Sequence, residues 1–121
     1  MRHKIMIVED ERRLRQLYRT ELETEGYEVI TAADGRDALE RLRQAPVHVV
    51  VFDLTFPDEV GLECLQDLVN SNREVKVMIH TAYPTHKMDF RTWAADAFVT
   101  KSSDADKLKC AVDRLLEVKP N

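Results

Sequence analysis

Two runs, Ile5–Val8 and Val49–Phe52, each place four apolar residues in a row with no polar alternation. A strand with one wet face alternates; a strand apolar on both faces must be covered on both. These runs therefore predict central strands of a sheet held between helices. Three further runs join them, so the predicted strands are Lys4–Val8, Glu28–Ala32, Val47–Phe52, Val75–His80 and Ala97–Thr100. They are rich in Val and Ile, as strands prefer. The second run alternates more and reads as an edge strand.

Amphipathic segments separate the strands. Leu14, Leu17, Tyr18 and Leu22 mark the first predicted helix; Ala38, Leu39 and Leu42 the second; Leu62, Leu65, Leu68 and Val69 the third; Leu108, Val112, Leu115 and Leu116 the fifth. The fourth, within residues 84–93, has only Met88, Phe90 and Trp93, at spacings that make no stripe, and predicts a short or frayed helix. Gly26 reads as a C-terminal cap and Ser103 with Asp106 as a capping box. The strand–helix alternation with short connections predicts an α/β fold, an open and mostly parallel sheet with helices on both faces.

Composition bounds the rest. A chain of 121 residues reads as a single domain over 1–121 with a real core. With 44% hydrophobic and 33% charged residues it reads as globular rather than disordered. A formal charge of −4 argues against direct nucleic-acid binding by this domain. No apolar run approaches a membrane span, and the N-terminal one is too short and too soon acidic for a signal peptide, which predicts no membrane contact and a cytoplasmic location. Cys64 and Cys110 fall outside any CxxC pattern and read as reduced, buried helix cysteines.

Four of the five predicted strands end on polar groups suited to one chemistry. Glu9 and Asp10 follow the first, Asp53 the third, Thr81 the fourth and Lys101 the fifth. Open α/β sheets bind ligands outside these carboxyl ends, where strand order reverses. If strands one and three are neighbours, three carboxylates converge. At an effective dielectric near 20, one like-charge pair about 4 Å apart costs about 4 kcal/mol. Mg²⁺ suits two or three carboxylates plus water, and with the Lys101 ammonium it balances three negative charges. A carboxylate held there can attack phosphorus to give an aspartyl phosphate, with metal and lysine stabilising the transferring oxygens and the Thr81 hydroxyl donating to one. Alone, Asp53 would read as a cap or turn residue, Lys101 as a solvated lysine and Thr81 as a common strand-end residue; the set carries the reading. Glu11 reads as a first-turn acid favoured by the helix dipole. His3, His48, His80 and His86 show no metal spacing and read as surface or strand-edge rings, with His80 the one to watch. Arg13 and Arg19 read as a solvated face.

The stretches IMIVEDE, VVFDLTFPDEVGLE, HTAY and AFVTKS together resemble the receiver domain of two-component response regulators, from Lys4 to about Val118. The resemblance implies a flavodoxin-like (βα)5 three-layer sandwich, a parallel five-stranded sheet in order 2-1-3-4-5 with the first and fifth helices on one face. It implies Asp53 as phosphoacceptor; Glu9, Asp10, Asp53 and the backbone carbonyl of Thr55 as Mg²⁺ ligands; Lys101 as partner of the acid or phosphoryl group; and Thr81 and Phe98 as switch residues. Phe98 reads equally as plain core. Implied partners are a sensor histidine kinase or phosphotransfer protein, which the first helix helps to dock, and an output domain or downstream protein. The face of the fourth helix, fifth strand and fifth helix would switch, with a phosphorylation-dependent homodimer allowed. That fold puts the two cysteines on opposite faces, so no intrachain disulfide is expected. The sequence departs from the family at Ser102, where Pro is usual, at Ala95, where Gly is usual, and at Phe56, where Met is common. Two other functions compete: a phosphorylation-independent docking module, and an aspartate-nucleophile phosphatase. The phosphatase lacks its second Asp, since Thr55 stands there, so no turnover of an external substrate is expected.

Overall fold

The computed structural model describes residues 3–54, 67, 70, 74–81, 96–101 and 105–117. Within them the chain runs β1 (Lys4–Val8), α1 (Arg12–Glu23), β2 (Glu28–Ala32), α2 (Gly35–Gln44), β3 (Val49–Leu54), β4 (Lys76–Thr81), β5 (Ala97–Thr100) and α3 (Asp106–Glu117). Here α3 is the fifth helix of the sequence pattern. The strands form one sheet in the order β2-β1-β3-β4-β5, every pairing parallel. The order reverses between β1 and β3, which opens a crevice at their carboxyl ends.

The two all-apolar runs lie at the centre, and Ile5–Val8 and Val49–Phe52 are buried throughout. Side chains alternate between faces along each strand. Ile5, Ile7, Val49, Val51 and Met78 pack with Tyr18 and Leu22 of α1 and Leu108 and Val112 of α3. Met6, Val8, Val50, Phe52, Val77 and Ile79 pack with Ala38 of α2, with Leu39 and Leu42 against them. So α1 and α3 share one face and α2 takes the other, as the 2-1-3-4-5 fold requires.

Helix starts are built locally. The Glu11 carboxylate caps α1, accepting from the amides of Arg13 at 3.3 Å and Leu14 at 2.8 Å. Asp34 caps α2 through the Asp37 amide at 2.8 Å, and Asp37 reaches back to the Ala33 amide at 3.1 Å. After α1 the chain turns through Gly26 at φ 94°, a left-handed conformation that favours glycine.

The structure corrects several expectations. β3 starts at Val49 rather than Val47, and β3 and β4 run on to Leu54 and Thr81, because the ladder pairs Asp53 with His80 and Leu54 with Thr81. Asp53 and Thr81 thus lie within the last two residues of their strands rather than after them. Leu17 is 49% exposed: at about 100° per residue it lies well round the helix from Tyr18, outside the arc that Leu14, Tyr18 and Leu22 share. Cys110 is a free and exposed cysteine, not a buried one. Cys64, the leucine stripe from Leu62 to Val69, the weak fourth helix and the Ser103 cap fall outside the described residues, although Asp67 and Asn70 are themselves helical. No helix among the described residues is long and apolar enough to cross a membrane.

Candidate functional site

Alternation along the strands assembles the site. Glu9, Asp53 and Lys101 each stand two residues beyond a side chain packed under α1 and α3, namely Ile7, Val51 and Val99. The three therefore emerge on the same side of the sheet, at its carboxyl end. Carboxylate oxygens of Glu9, Asp10 and Asp53 all lie within 4.8 Å of one another. Glu9 is buried and Asp10 exposed, while the side chain of Asp53 is only 3% exposed. This is a set of hard oxygen donors with one side open to solvent, and it could hold a divalent cation.

Lys101 reaches in from the end of β5. Its ammonium pairs with Glu9 Oε1 at 3.1 Å and with Asp53 Oδ1. The other Glu9 oxygen accepts from the Glu11 amide at 3.0 Å. Burial, followed by a hydrogen bond with Asp53 and that residue's negative charge, pushes the Glu9 carboxyl up to about 8, against the pull of the Glu11 amide and Lys101. Burial and the Asp53 contact thus favour the protonated form of Glu9. Burial works against the charge on Lys101, yet its bonds to Asp53 and Glu9 outweigh that and raise its pKa.

The backbone of Thr81 ends β4, paired with Leu54 on one side and Thr100 on the other. Phe98 is placed in β5 opposite Ile79. Thr55 and the side chains of Thr81 and Phe98 lie outside what the structure describes.

The sequence reading misplaced one residue near the site and passed over another. His80 is not a surface or edge ring: it is 4% exposed, because β5 covers β4 and Tyr18 of α1 stacks edge-on against it at 5.0 Å. Its Nδ1 is buried and has no hydrogen-bond partner among the described residues. Burial, aided by Lys101 and opposed by Asp53, lowers its pKa to about 4, so the ring is neutral. The signal was available, since His80 stands two residues after Met78 on the α1/α3 face. The second residue is Arg15, whose guanidinium donates to the Glu9 backbone carbonyl at 2.8 Å; nothing in the spacing announced that bond. His3 and His48 stack edge-on at 4.9 Å at the opposite end of the sheet, where His48 Nδ1 accepts from the Lys4 amide; His86 lies outside the described residues.

Comparison with known proteins agrees with this geometry. The model of the response regulator receiver domain family matches residues 5–113. The chain is 30% identical over 123 residues to sporulation initiation phosphotransferase F of Bacillus subtilis, covering 100% of this chain and 99% of that protein. Response regulator RR06 of Streptococcus pneumoniae is 35% identical over 78 residues, 64% of this chain but 36% of that longer protein. Among solved structures, response regulator TrrA of Thermotoga maritima in complex with Mg²⁺-BeF superposes with a TM-score of 0.86 at 35% identity, covering 93% of this chain and 98% of that one. A structure of histidine kinase ThkA in complex with TrrA matches with a TM-score of 0.84 at 36% identity, covering 94% of this chain and 98% of that one. With its sheet order, its acidic crevice and its relatives in agreement, the chain belongs to the response regulator receiver domain family, the phosphorelay signalling modules of two-component systems.

Proposed function

We propose that Asp53 accepts a phosphoryl group from a phosphohistidine of a sensor kinase or phosphotransfer protein, in the presence of Mg²⁺. The observation that carries this reading is the meeting of Glu9, Asp10 and Asp53 around one small volume, with Lys101 as the cation pairing two of them. An Asp53 oxygen attacks phosphorus in line, the N–P bond of the donor breaks, and the donor imidazole takes up a proton. Water later cleaves the acyl phosphate and releases inorganic phosphate. Glu9, Asp10 and Asp53 would hold Mg²⁺, with the Thr55 carbonyl as a further ligand by family resemblance. Bound there, the ion would offset the clustered carboxylates and the charge of the phosphoryl oxygens. Lys101 follows the charge from the carboxylate to the phosphoryl oxygen. Thr81 and Phe98 are the proposed switch pair, relaying the change toward β5, α3 and the fourth-helix segment. The TrrA–ThkA complex supports a histidine kinase as partner. The signalling reading expects no catalytic turnover of an external substrate and sets the reaction in the cytoplasm.

Incubation with Mg²⁺ and acetyl phosphate, followed by intact mass, tests this. Wild type is expected to gain one phosphoryl group, and Asp53→Asn none. Wild type left unmodified by acetyl phosphate and by any phosphohistidine donor would instead favour a docking module that works without phosphorylation.

A further inference from the structure

We infer that Arg15 is a positioning residue for the acidic pocket: its guanidinium holds the β1–α1 turn from which Glu9 and Asp10 both project, and so sets the affinity of that pocket for Mg²⁺. The inference rests on the pocket being the cation site proposed above.

Among the described residues, four bonds hold Glu9 besides its contact with Asp53. Its amide donates to the Ala32 carbonyl at 3.0 Å, tying the turn to the end of β2. Its carboxylate accepts from the Glu11 amide and from Lys101. Its carbonyl accepts from Arg15 Nη1 at 2.8 Å. The first bond continues the sheet, and the two carboxylate bonds lie within the pocket. The Arg15 bond alone reaches the turn from the body of a helix. It also fixes the peptide plane joining Glu9 to Asp10, since that carbonyl and the Asp10 amide share it. Two proposed ligands thus depend on one peptide orientation.

The bond has the features of a constraint rather than of a solvated arginine. Arg15 is half-buried, unlike the exposed Arg12, Arg13 and Arg19 on the same helix. Its own amide makes the first helical bond, to the Glu11 carbonyl at 2.9 Å, so its backbone is fixed while its side chain folds back past the helix start. Side chains on a helix lean toward its N-terminus, which makes that reach natural. A cation there faces the positive end of the helix dipole, an unfavourable place unless acids offset it. On one side the Glu9 carbonyl accepts from it. On the other, Arg15 contributes, after the Ala33 amide and Arg41, to holding the Asp37 carboxyl below its ordinary value. Arg15 is thus bonded to the turn after β1 and acts through space on the first turn of α2.

Electrostatics and positioning predict opposite signs. If Arg15 acted only as a positive charge near the site, removing it would strengthen Mg²⁺ binding. If it holds the turn, removing it weakens binding, since supporting groups around metal ligands typically matter by tenfold or more. Calorimetric titration of the metal-free protein with Mg²⁺ separates the two, using Arg15→Met, which keeps the apolar stem and removes the donors. The expected result is a Kd raised about tenfold. Unfolding by urea in EDTA, run in parallel, confirms that the variant is folded throughout the titration. Should Arg15→Met fail to unfold cooperatively, Arg15→Gln carries the same test with the same expected direction. A Kd equal to or tighter than that of wild type in a folded variant overturns the inference while leaving the pocket intact. Wild type that takes up no Mg²⁺ overturns this inference and the cation site together, a result told apart by the wild-type titration alone.

Discussion

Two buried titratable side chains lie beneath the pocket, and they load the fold in opposite directions. Glu9 has its pKa raised from 4.5 to about 8 in the metal-free fold, so between those values the folded chain binds more protons than the unfolded one. Its contribution is complete below about pH 4.5 and is lost as pH rises through about 8. His80 is lowered from 6.5 to about 4, so its unfolded form binds the extra proton, and stability is lost as pH falls from 6.5 toward 4. Between pH 6.5 and 8, Glu9 alone of these two acts. In EDTA the urea midpoint of the wild type should therefore drop between pH 6.5 and 8, and Glu9→Gln should flatten that limb. His80→Leu should leave the alkaline limb in place and, by removing the opposing load, let stability go on rising as pH falls from 6.5 toward 4.5. An alkaline limb equally steep in Glu9→Gln would show that the proton on Glu9 is not its source. The acids were legible in the sequence because a carboxylate closing an all-apolar run is costly without a counter-charge. The raised pKa of Glu9 was not, because it depends on how deeply the carboxyl is buried and then on how closely Asp53 approaches it, tertiary features with no local signature.

At the level of elements, period and burial agree where the pattern is dense and part where it is broad. The runs at β1 and β3 could be assigned to the sheet centre because four apolar residues in succession leave no face for water. Strand ends were placed less well: β3 and β4 each extend past their apolar runs, since ladder hydrogen bonds continue under polar side chains such as Asp53 and His80. On α1 a four-residue apolar set was read as one face, yet Leu22 is fully buried and Leu17 is 49% exposed. The difference is geometric, since a helix face buried against a sheet spans an arc that Tyr18 centres and Leu17 lies beyond. The two leucines should then differ sharply on truncation. Leu22→Ala should cost about 3 kcal/mol of unfolding free energy, as core leucines do. Leu17→Ala should change it by less than about 0.5 kcal/mol, as surface changes do. Urea denaturation of both variants measures the contrast; equal losses would mean that α1 sits rotated from the orientation described.

Across the whole molecule, one sheet holds two apolar layers, and the acids gather at the end where the strand order reverses. The layers provide stability that does not depend on the site, so the site can hold clustered negative charge that the fold alone does not neutralise. Such a site should tie global stability to the ion it is built to hold. A ligand that binds only the folded chain stabilises it by mass action, about 2.7 kcal/mol at a hundred times its dissociation constant. Saturating Mg²⁺ should accordingly raise the urea midpoint of the wild type at pH 7.5, with the slope of the transition unchanged, because the surface exposed on unfolding stays the same. Asp53→Asn should keep the fold, since Val49–Phe52 and both apolar layers are untouched, but show a smaller Mg²⁺ gain. It should also lose part of the alkaline slope in EDTA, because the Asp53 bond and charge are among the causes that raise Glu9. The two effects share one origin in the distance between β1 and β3, so they should appear together. An Asp53→Asn protein that kept the full Mg²⁺ gain would show that the ion is held elsewhere.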